Sequence, residues 1–126
     1  MARKRILVVD DEQDIVDLLR DVLGANGYEV DSAGDAATAL ALVREHIFDA
    51  AILDFNLPDM DGVMLHRQLR QMDEELAGRT LFTSGLVQSE GNLGYYTSHG
   101  RGFLSKPFDV QEMLDALAGL WSEERA

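Results

Sequence analysis

The fold of this 126-residue chain is decided by the stretch Ala50-Ala51-Ile52-Leu53-Asp54-Phe55, an apolar run with one carboxylate near its end. A short, continuous apolar run bounded by turn signals is typical of a parallel strand that is buried on both faces. Turn residues follow at once, from Asn56 through Gly62. Asp54 is therefore expected at the carboxyl end of a central strand, where open α/β sheets bind their ligands. Taken alone, Asp54 is explained equally well as a helix cap or a solvent-facing strand end.

A second buried strand is predicted near the amino terminus, where Ile6-Leu7-Val8-Val9 is wholly apolar and rich in β-branched residues. This strand ends in three successive acids, Asp10-Asp11-Glu12. One acid is enough to cap the helix that follows, because a single carboxylate satisfies the first amides and the helix dipole. Three adjacent acids repel one another unless a positive charge lies among them. The run therefore favours a site for a positive charge over simple helix capping.

Strand and helix patterns alternate along the rest of the chain. Further strands are predicted at 28–32, 79–84 and 101–105, and apolar residues at helical spacing follow the strands, with the last helix starting at 108–109. Alternating strands and helices with short connections imply a parallel sheet that carries helices on both faces. The segment 88–100 contains three glycines, each costing about 1 kcal/mol in a helix relative to alanine. A short or frayed fourth helix is expected there.

The composition indicates one globular domain over 1–126, with a core at about 4–120, because the chain is 46% hydrophobic and 27% charged. A net charge of −12 argues against direct binding to nucleic acid or an anionic membrane surface, since phosphates repel an acidic surface. No apolar run is long enough to span a bilayer. The absence of cysteine excludes a disulfide framework and is compatible with a reducing cytosol, so a cytoplasmic location is expected.

Polar groups are expected at the ends of four strands: Asp10 and Asp11 on the first, Asp54 on the third, Thr83 on the fourth and Lys106 on the fifth. The carboxyl ends of parallel strands share one edge of the sheet, so these groups should converge. Three carboxylates with room for water suit Mg²⁺ better than a fully caged Ca²⁺. Together with a lysine and a hydroxyl donor they suit phosphoryl transfer, in which a carboxylate can be the nucleophile. Singly, Thr83 could be an ordinary strand residue and Lys106 a surface lysine.

With these motifs the chain resembles the receiver domains of two-component response regulators, from Lys4 to about Leu120. The resemblance implies a single receiver domain with a flavodoxin-like (βα)5 fold and a five-stranded parallel sheet in the order 2-1-3-4-5. The matching motifs are Val8-Val9-Asp10-Asp11-Glu12, Leu53-Asp54 followed by Leu57-Pro58-Asp59-Met60-Asp61-Gly62, Thr83-Ser84, and Lys106-Pro107-Phe108.

The resemblance also implies a role for each residue of the site. Asp54 matches the phosphoacceptor, which takes a phosphoryl group from the phosphohistidine of a histidine kinase or histidine phosphotransfer protein. Asp11 matches the direct ligand of Mg²⁺ (or Mn²⁺), and Asp10 matches the acid that holds the metal largely through water. The backbone carbonyl of Asn56 stands where the coordination is completed. Lys106 matches the lysine that contacts the phosphoryl group.

Thr83 and Phe103 match the switch residues of the family. Phosphorylation replaces one negative charge by about two and adds acceptor oxygens, to which Thr83 and Lys106 can donate charge-assisted hydrogen bonds. Phe103 can then fill the space that Thr83 vacates, which couples the site to the face formed by the fourth helix, fifth strand and fifth helix. The chain is thus expected to be a signalling switch that catalyses its own phosphorylation and dephosphorylation and acts on an output domain or a downstream protein.

Three other functions are compatible with parts of this pattern. A flavodoxin-like electron carrier would need a phosphate-binding loop after the first strand, where Asp10-Asp11-Glu12 would repel the flavin phosphate. A phosphohydrolase with an aspartyl-phosphate intermediate usually carries its nucleophile after the first strand, whereas the best nucleophile here is on the third. A receiver-like interaction module that is never phosphorylated is disfavoured by the intact set of acids.

Overall fold

The structure, a computed structural model, describes residues 3–55, 57–84, 102–105 and 109–124. The predicted strands begin and end within one residue of the observed ones. In chain order the elements are β1 (Arg5–Val9), α1 (Gln13–Ala25), β2 (Glu29–Ala33), α2 (Ala36–Glu45), β3 (Ala50–Asp54), α3 (Gly62–Met72), α4 (Glu74–Gly78), β4 (Thr80–Ser84), β5 (Gly102–Ser105) and α5 (Val110–Glu124).

The five strands form one parallel sheet in the order β2-β1-β3-β4-β5. This confirms the predicted flavodoxin-like α/β fold and its strand order. All residues of β3 are buried, as the apolar run Ala50–Asp54 predicts for a central strand. At the edge of the sheet, β2 buries only Ala33, in agreement with its alternating sequence.

Each face of the sheet has its own apolar core, because successive strand residues point to opposite faces. Leu7, Leu53 and Phe82 contribute to the core beneath α2, α3 and α4. Ile52 and Leu81 contribute to the core on the other face, beneath α1 and α5. The apolar residues of the strands therefore supply both layers, while the polar residues at or just after the strand ends lie at the carboxyl edge of the sheet.

One short helix, α4, is missed by the sequence pattern. Asp73 caps its amino end, where the carboxylate of Asp73 accepts the N–H of Leu76 at 3.1 Å. Both Leu76 and Ala77 are buried in the core. The fully buried His66 of α3 ties the two helices together, since its Nε2 lies 2.8 Å from the carbonyl oxygen of Ala77. The short length of α4 explains the omission, because five residues give no periodic apolar face to detect.

The carboxyl-terminal helix begins slightly later than predicted. The predicted start at 108–109 compares with an observed start at Val110, and the carboxylate of Asp109 accepts the N–H of Gln111 at 2.7 Å. The predicted helix in 88–100 lies outside the described residues. Among the segments that the structure describes, none of the helices combines the length and the apolar character needed to cross a membrane.

Candidate metal and phosphoacceptor site

Four carboxylates converge at the carboxyl edge of the sheet. One oxygen from each of Asp10, Asp11, Glu12 and Asp54 lies within 4.8 Å of the other three. Asp10 and Asp54 are only 4% and 3% exposed, whereas Asp11 and Glu12 are exposed. The structure thus brings together the three aspartates expected at the strand ends and adds Glu12. Negative charges this close repel one another, and burial weakens the screening by water, so the arrangement favours a bound cation.

The loop between β1 and α1 is held by hydrogen bonds that its backbone N–H groups donate. The N–H of Asp10 donates to the carbonyl oxygen of Ala33 at 3.0 Å, which ties the loop to the end of β2. One carboxylate oxygen of Asp10 accepts the N–H of Glu12 at 2.9 Å. Glu12 occupies the capping position of α1, yet its side chain makes no capping hydrogen bond. Its carboxylate lies among the aspartates instead. The acid run therefore contributes to the carboxylate cluster as well as to the start of α1.

Asp54 and Thr83 occupy matching positions on neighbouring strands. They are register partners at the carboxyl ends of β3 and β4, and both are buried. The N–H of Phe55 donates to the carbonyl oxygen of Thr83 at 2.9 Å, so the pairing continues one residue past the end of β3. The hydroxyl-bearing residue therefore lies on the strand beside the candidate phosphoacceptor.

The loop that follows β3 returns to the strand at Gly62. The N–H of Gly62 donates to the carbonyl oxygen of Phe55 at 2.7 Å. A Cβ atom added at Gly62 would lie 2.9 Å from the Cα of Phe55 and 3.1 Å from the carbonyl oxygen of Asp54. These are backbone atoms that cannot rotate away. Glycine is required at position 62 because any side chain there would collide with the backbone of Asp54 and Phe55.

Asp59 joins this loop to the amino end of α2. Its carboxylate oxygens accept the N–H of Ala36 at 2.9 Å and the N–H of Ala37 at 3.0 Å. These two hydrogen bonds favour the charged form and lower the pKa of Asp59 below its usual value. The stability that they contribute is present above the usual carboxyl pKa and is lost as pH falls through the lowered value. The sequence predicts Asp59 only as a turn residue, because its partners are more than twenty residues away.

Three predicted site residues are described incompletely. Asn56 and Lys106 lie outside the described residues. Phe103 lies on β5 in register with Phe82, and its side chain is not among those described. The roles of these residues remain predictions that come from the resemblance.

The described donors fit a small, hard cation. All four are carboxylates, the type of ligand that Mg²⁺ and Mn²⁺ prefer. The exposure of Asp11 and Glu12 leaves access for water, and Mg²⁺ usually keeps several waters when it binds to protein. The cluster near Asp54 is therefore suitable for a divalent metal ion.

Residues 6–118 match the response regulator receiver domain family, and the chain belongs to this family. It is a receiver domain of two-component signalling, as its motifs predict. It is 31% identical over 120 residues to sporulation initiation phosphotransferase F of Bacillus subtilis, with 93% of each chain covered. It is 37% identical over 116 residues to response regulator MprA of Mycobacterium sp. (strain KMS), and spans only 50% of the length of that relative. A CheY-like receiver domain protein from Methanospirillum hungatei JF-1 has a similar structure, with a TM-score of 0.90, 27% identity and 98% of both chains covered.

Proposed function

We propose that the chain, as a single receiver domain, is a phosphorylation switch whose phosphoacceptor is Asp54. The observation that supports this most directly is the position of the Asp54 carboxylate. It is buried at the end of the central strand, with one oxygen within 4.8 Å of oxygens from Asp10, Asp11 and Glu12. The proposed donor is the phosphohistidine of a histidine kinase or a histidine phosphotransfer protein, and the proposed compartment is the cytoplasm. The output is an attached domain or a separate protein, without direct contact between this domain and nucleic acid or membrane.

The proposed reaction is a transfer between two side chains. A carboxylate oxygen of Asp54 forms a bond to phosphorus, the bond between phosphorus and the histidine nitrogen breaks, and its electron pair stays on the imidazole. Asp10, Asp11, Asp54 and the carbonyl of Asn56 would hold the metal ion. Mg²⁺ bound there supplies positive charge that offsets the carboxylates and the phosphoryl oxygens. Lys106 would contact the phosphoryl group and add a second positive charge.

Mg²⁺-dependent mass gain is the direct test of this function. Incubation with Mg²⁺ and a small acyl phosphate is expected to add one phosphoryl group to the intact protein, and incubation with EDTA is expected to add none. A purified phosphorylated histidine phosphotransfer protein serves as a second donor. No gain from either donor would contradict the proposal. If Mg²⁺ binding were also absent, a receiver-like interaction module that is never phosphorylated would be the better interpretation.

Thr83 is proposed to transmit the modification rather than to accept it. Thr83→Ala is expected to leave the mass gain in place, because the nucleophile is Asp54. The variant should lose the donor hydroxyl that attracts β4 toward the phosphoryl group. The measurement is amide hydrogen exchange in 80–84 and 102–105, with and without acyl phosphate. The phosphorylation-dependent change in exchange should shrink in the variant.

Thr80→Ala provides the matched control, because Thr80 is a buried threonine at the opposite end of the same strand. Its hydroxyl donates to the carbonyl oxygen of Leu76 at 3.0 Å. Its loss is expected to cost about 1 kcal/mol of stability and to leave the phosphorylation-dependent exchange intact. Equal responses in the wild type and Thr83→Ala would count against the switch role of Thr83.

A further inference from the structure

The segment 33–37, from the last residue of β2 to the first turn of α2, contacts both loops beside the acidic site. On one side, the carbonyl oxygen of Ala33 accepts the N–H of Asp10 at 3.0 Å. On the other side, the N–H groups of Ala36 and Ala37 donate to the carboxylate of Asp59 at 2.9 and 3.0 Å. The loop before α1 carries three acids of the site, and the loop after β3 directly follows the fourth, Asp54; both loops are attached to this one segment.

We propose that Asp59 is a positioning residue of the metal site, which acts by holding the loop after β3 against the amino end of α2. This inference rests on the proposed function, since it assigns a role toward the metal ion of that site. Asp59 itself need not touch the ion. It holds residues 57–61 in place ahead of Gly62, whose N–H donates to the carbonyl oxygen of Phe55, the residue next to Asp54.

The geometry of the contact suits this role. A carboxylate that accepts two adjacent amide hydrogens has its position set by both bonds, and the amino end of a helix adds partial positive charge. The helix does not depend on Asp59 for a cap, because Asp35 already accepts the N–H of Thr38 at 2.7 Å. The additional bonds from Asp59 therefore connect two segments of chain, whereas those from Asp35 stay within one helix end.

Packing of the loop is the competing explanation for its position. Leu57 and Met60 are partly buried against the core beneath α2 and α3. If this packing alone set the loop, Asp59 would contribute stability and nothing specific to the site. The two explanations differ in what they predict for metal affinity, which a purely structural contribution would leave unchanged.

The decisive experiment compares Asp59→Ala and Asp59→Asn with Asp35→Ala. Asp35→Ala removes the cap from the same helix end but leaves the loop attached, so it controls for loss of helix stability. Isothermal titration calorimetry with Mg²⁺ gives the dissociation constant of the unphosphorylated protein. Asp59→Ala is expected to weaken Mg²⁺ binding about tenfold, the effect of losing a group that orients metal ligands. Asp59→Asn keeps one acceptor oxygen and should fall between Asp59→Ala and the wild type, while Asp35→Ala should stay within about twofold.

Amide hydrogen exchange in 57–61 gives a second readout that does not involve the metal. Exchange there should accelerate in Asp59→Ala and remain unchanged in Asp35→Ala. If Asp59→Ala fails to fold, Asp59→Asn decides. Equal Mg²⁺ affinities in the Asp59 and Asp35 variants would overturn the inference.

Failure of this inference is distinguishable from failure of the proposed function. A wild-type protein that binds Mg²⁺ and gains a phosphoryl group retains the proposed function whatever the Asp59 variants do. A wild-type protein that binds Mg²⁺ but accepts no phosphoryl group loses the proposed function, and the calorimetric comparison still decides the role of Asp59. A wild-type protein that binds no Mg²⁺ overturns both.

Discussion

Asp54→Asn is expected to abolish the gain of a phosphoryl group from an acyl phosphate while the protein remains folded. The substituted amide has nearly the shape of the carboxylate but is not a nucleophile toward phosphorus. No other carboxylate of the cluster has the same setting, since Asp11 and Glu12 are exposed and Asp10 follows a different strand. The mass of the variant after incubation with Mg²⁺ and donor should equal its mass before.

The same substitution is expected to stabilise the protein when no divalent ion is present. A pair of like charges about 4 Å apart costs about 1 kcal/mol even at the dielectric constant of water, and Asp54 is buried among three other carboxylates. The neutral amide removes this repulsion. Thermal unfolding in EDTA should therefore occur at a higher temperature in Asp54→Asn than in the wild type, and added Mg²⁺ should stabilise the wild type more.

Asp115→Asn is the matched control for both measurements. Asp115 is an exposed residue of α5 whose carboxylate accepts a hydrogen bond from the Gln111 side chain at 2.9 Å. This variant should gain a phosphoryl group as the wild type does and unfold at nearly the same temperature. Phosphorylation of Asp54→Asn, or an unfolding temperature in EDTA below that of the wild type, would contradict the role assigned to Asp54.

The sequence predicts the sheet well because each strand has a local signal. Two of the strands contain apolar runs that favour burial on both faces, Ala50-Ala51-Ile52-Leu53 and Ile6-Leu7-Val8-Val9, and the acids that follow these runs mark the strand ends. Parallel pairing then brings Asp10, Asp11 and Asp54 to one edge without further information. The strand order comes from the resemblance to receiver domains, since the local patterns leave the arrangement of the strands open.

The contacts that the sequence does not predict are those without a local signal. Asp59 looks like a turn residue, and nothing near it indicates that its partners are the amides of Ala36 and Ala37. His66 looks like a polar residue on a helix, yet it is fully buried with its ring 5.0 Å from that of Phe82. Both contacts depend on how separate elements pack, so only the three-dimensional structure reveals them.

Glu12 is an intermediate case. The sequence places it in the acid run, where Asp10 and Asp11 are the candidates for capping the helix, yet Glu12 is the residue found at the capping position. Its side chain makes no capping bond, and its carboxylate joins the aspartates. An acid at the start of a helix either caps the helix or joins a cluster of carboxylates, depending on which charges lie nearby. A pattern of residue types along the chain does not show which charges those are.

Gly62→Ala is expected to lower both stability and the rate of phosphorylation, although it adds a single methyl group. The new Cβ would lie 2.9 Å from the Cα of Phe55 and 3.1 Å from the carbonyl oxygen of Asp54. Both contacts are with backbone, so either the amino end of α3 or the end of β3 must shift. Overpacking of this kind costs about 1–3 kcal/mol. A displacement of about 1 Å beside a reacting group can slow a reaction about 100-fold.

Gly119→Ala is the matched control, because it also replaces a helix glycine with alanine but at a position without the close backbone contact of Gly62. Gly119 is an exposed residue inside α5, and apart from its chain neighbours and the adjacent backbone of the same helix, no described heavy atom lies within 4 Å of the Cβ that alanine would add. Alanine is the better helix former, so this variant should be more stable by about 0.5–1 kcal/mol. Its rate of phosphorylation should equal that of the wild type.

Urea unfolding and the rate of mass gain from an acyl phosphate measure the two effects on the same proteins. The two alanine variants should change stability in opposite directions, and only Gly62→Ala should slow phosphorylation. Wild-type stability and rate in Gly62→Ala would mean that the loop accommodates a methyl group and that its tight return to β3 is not needed by the site.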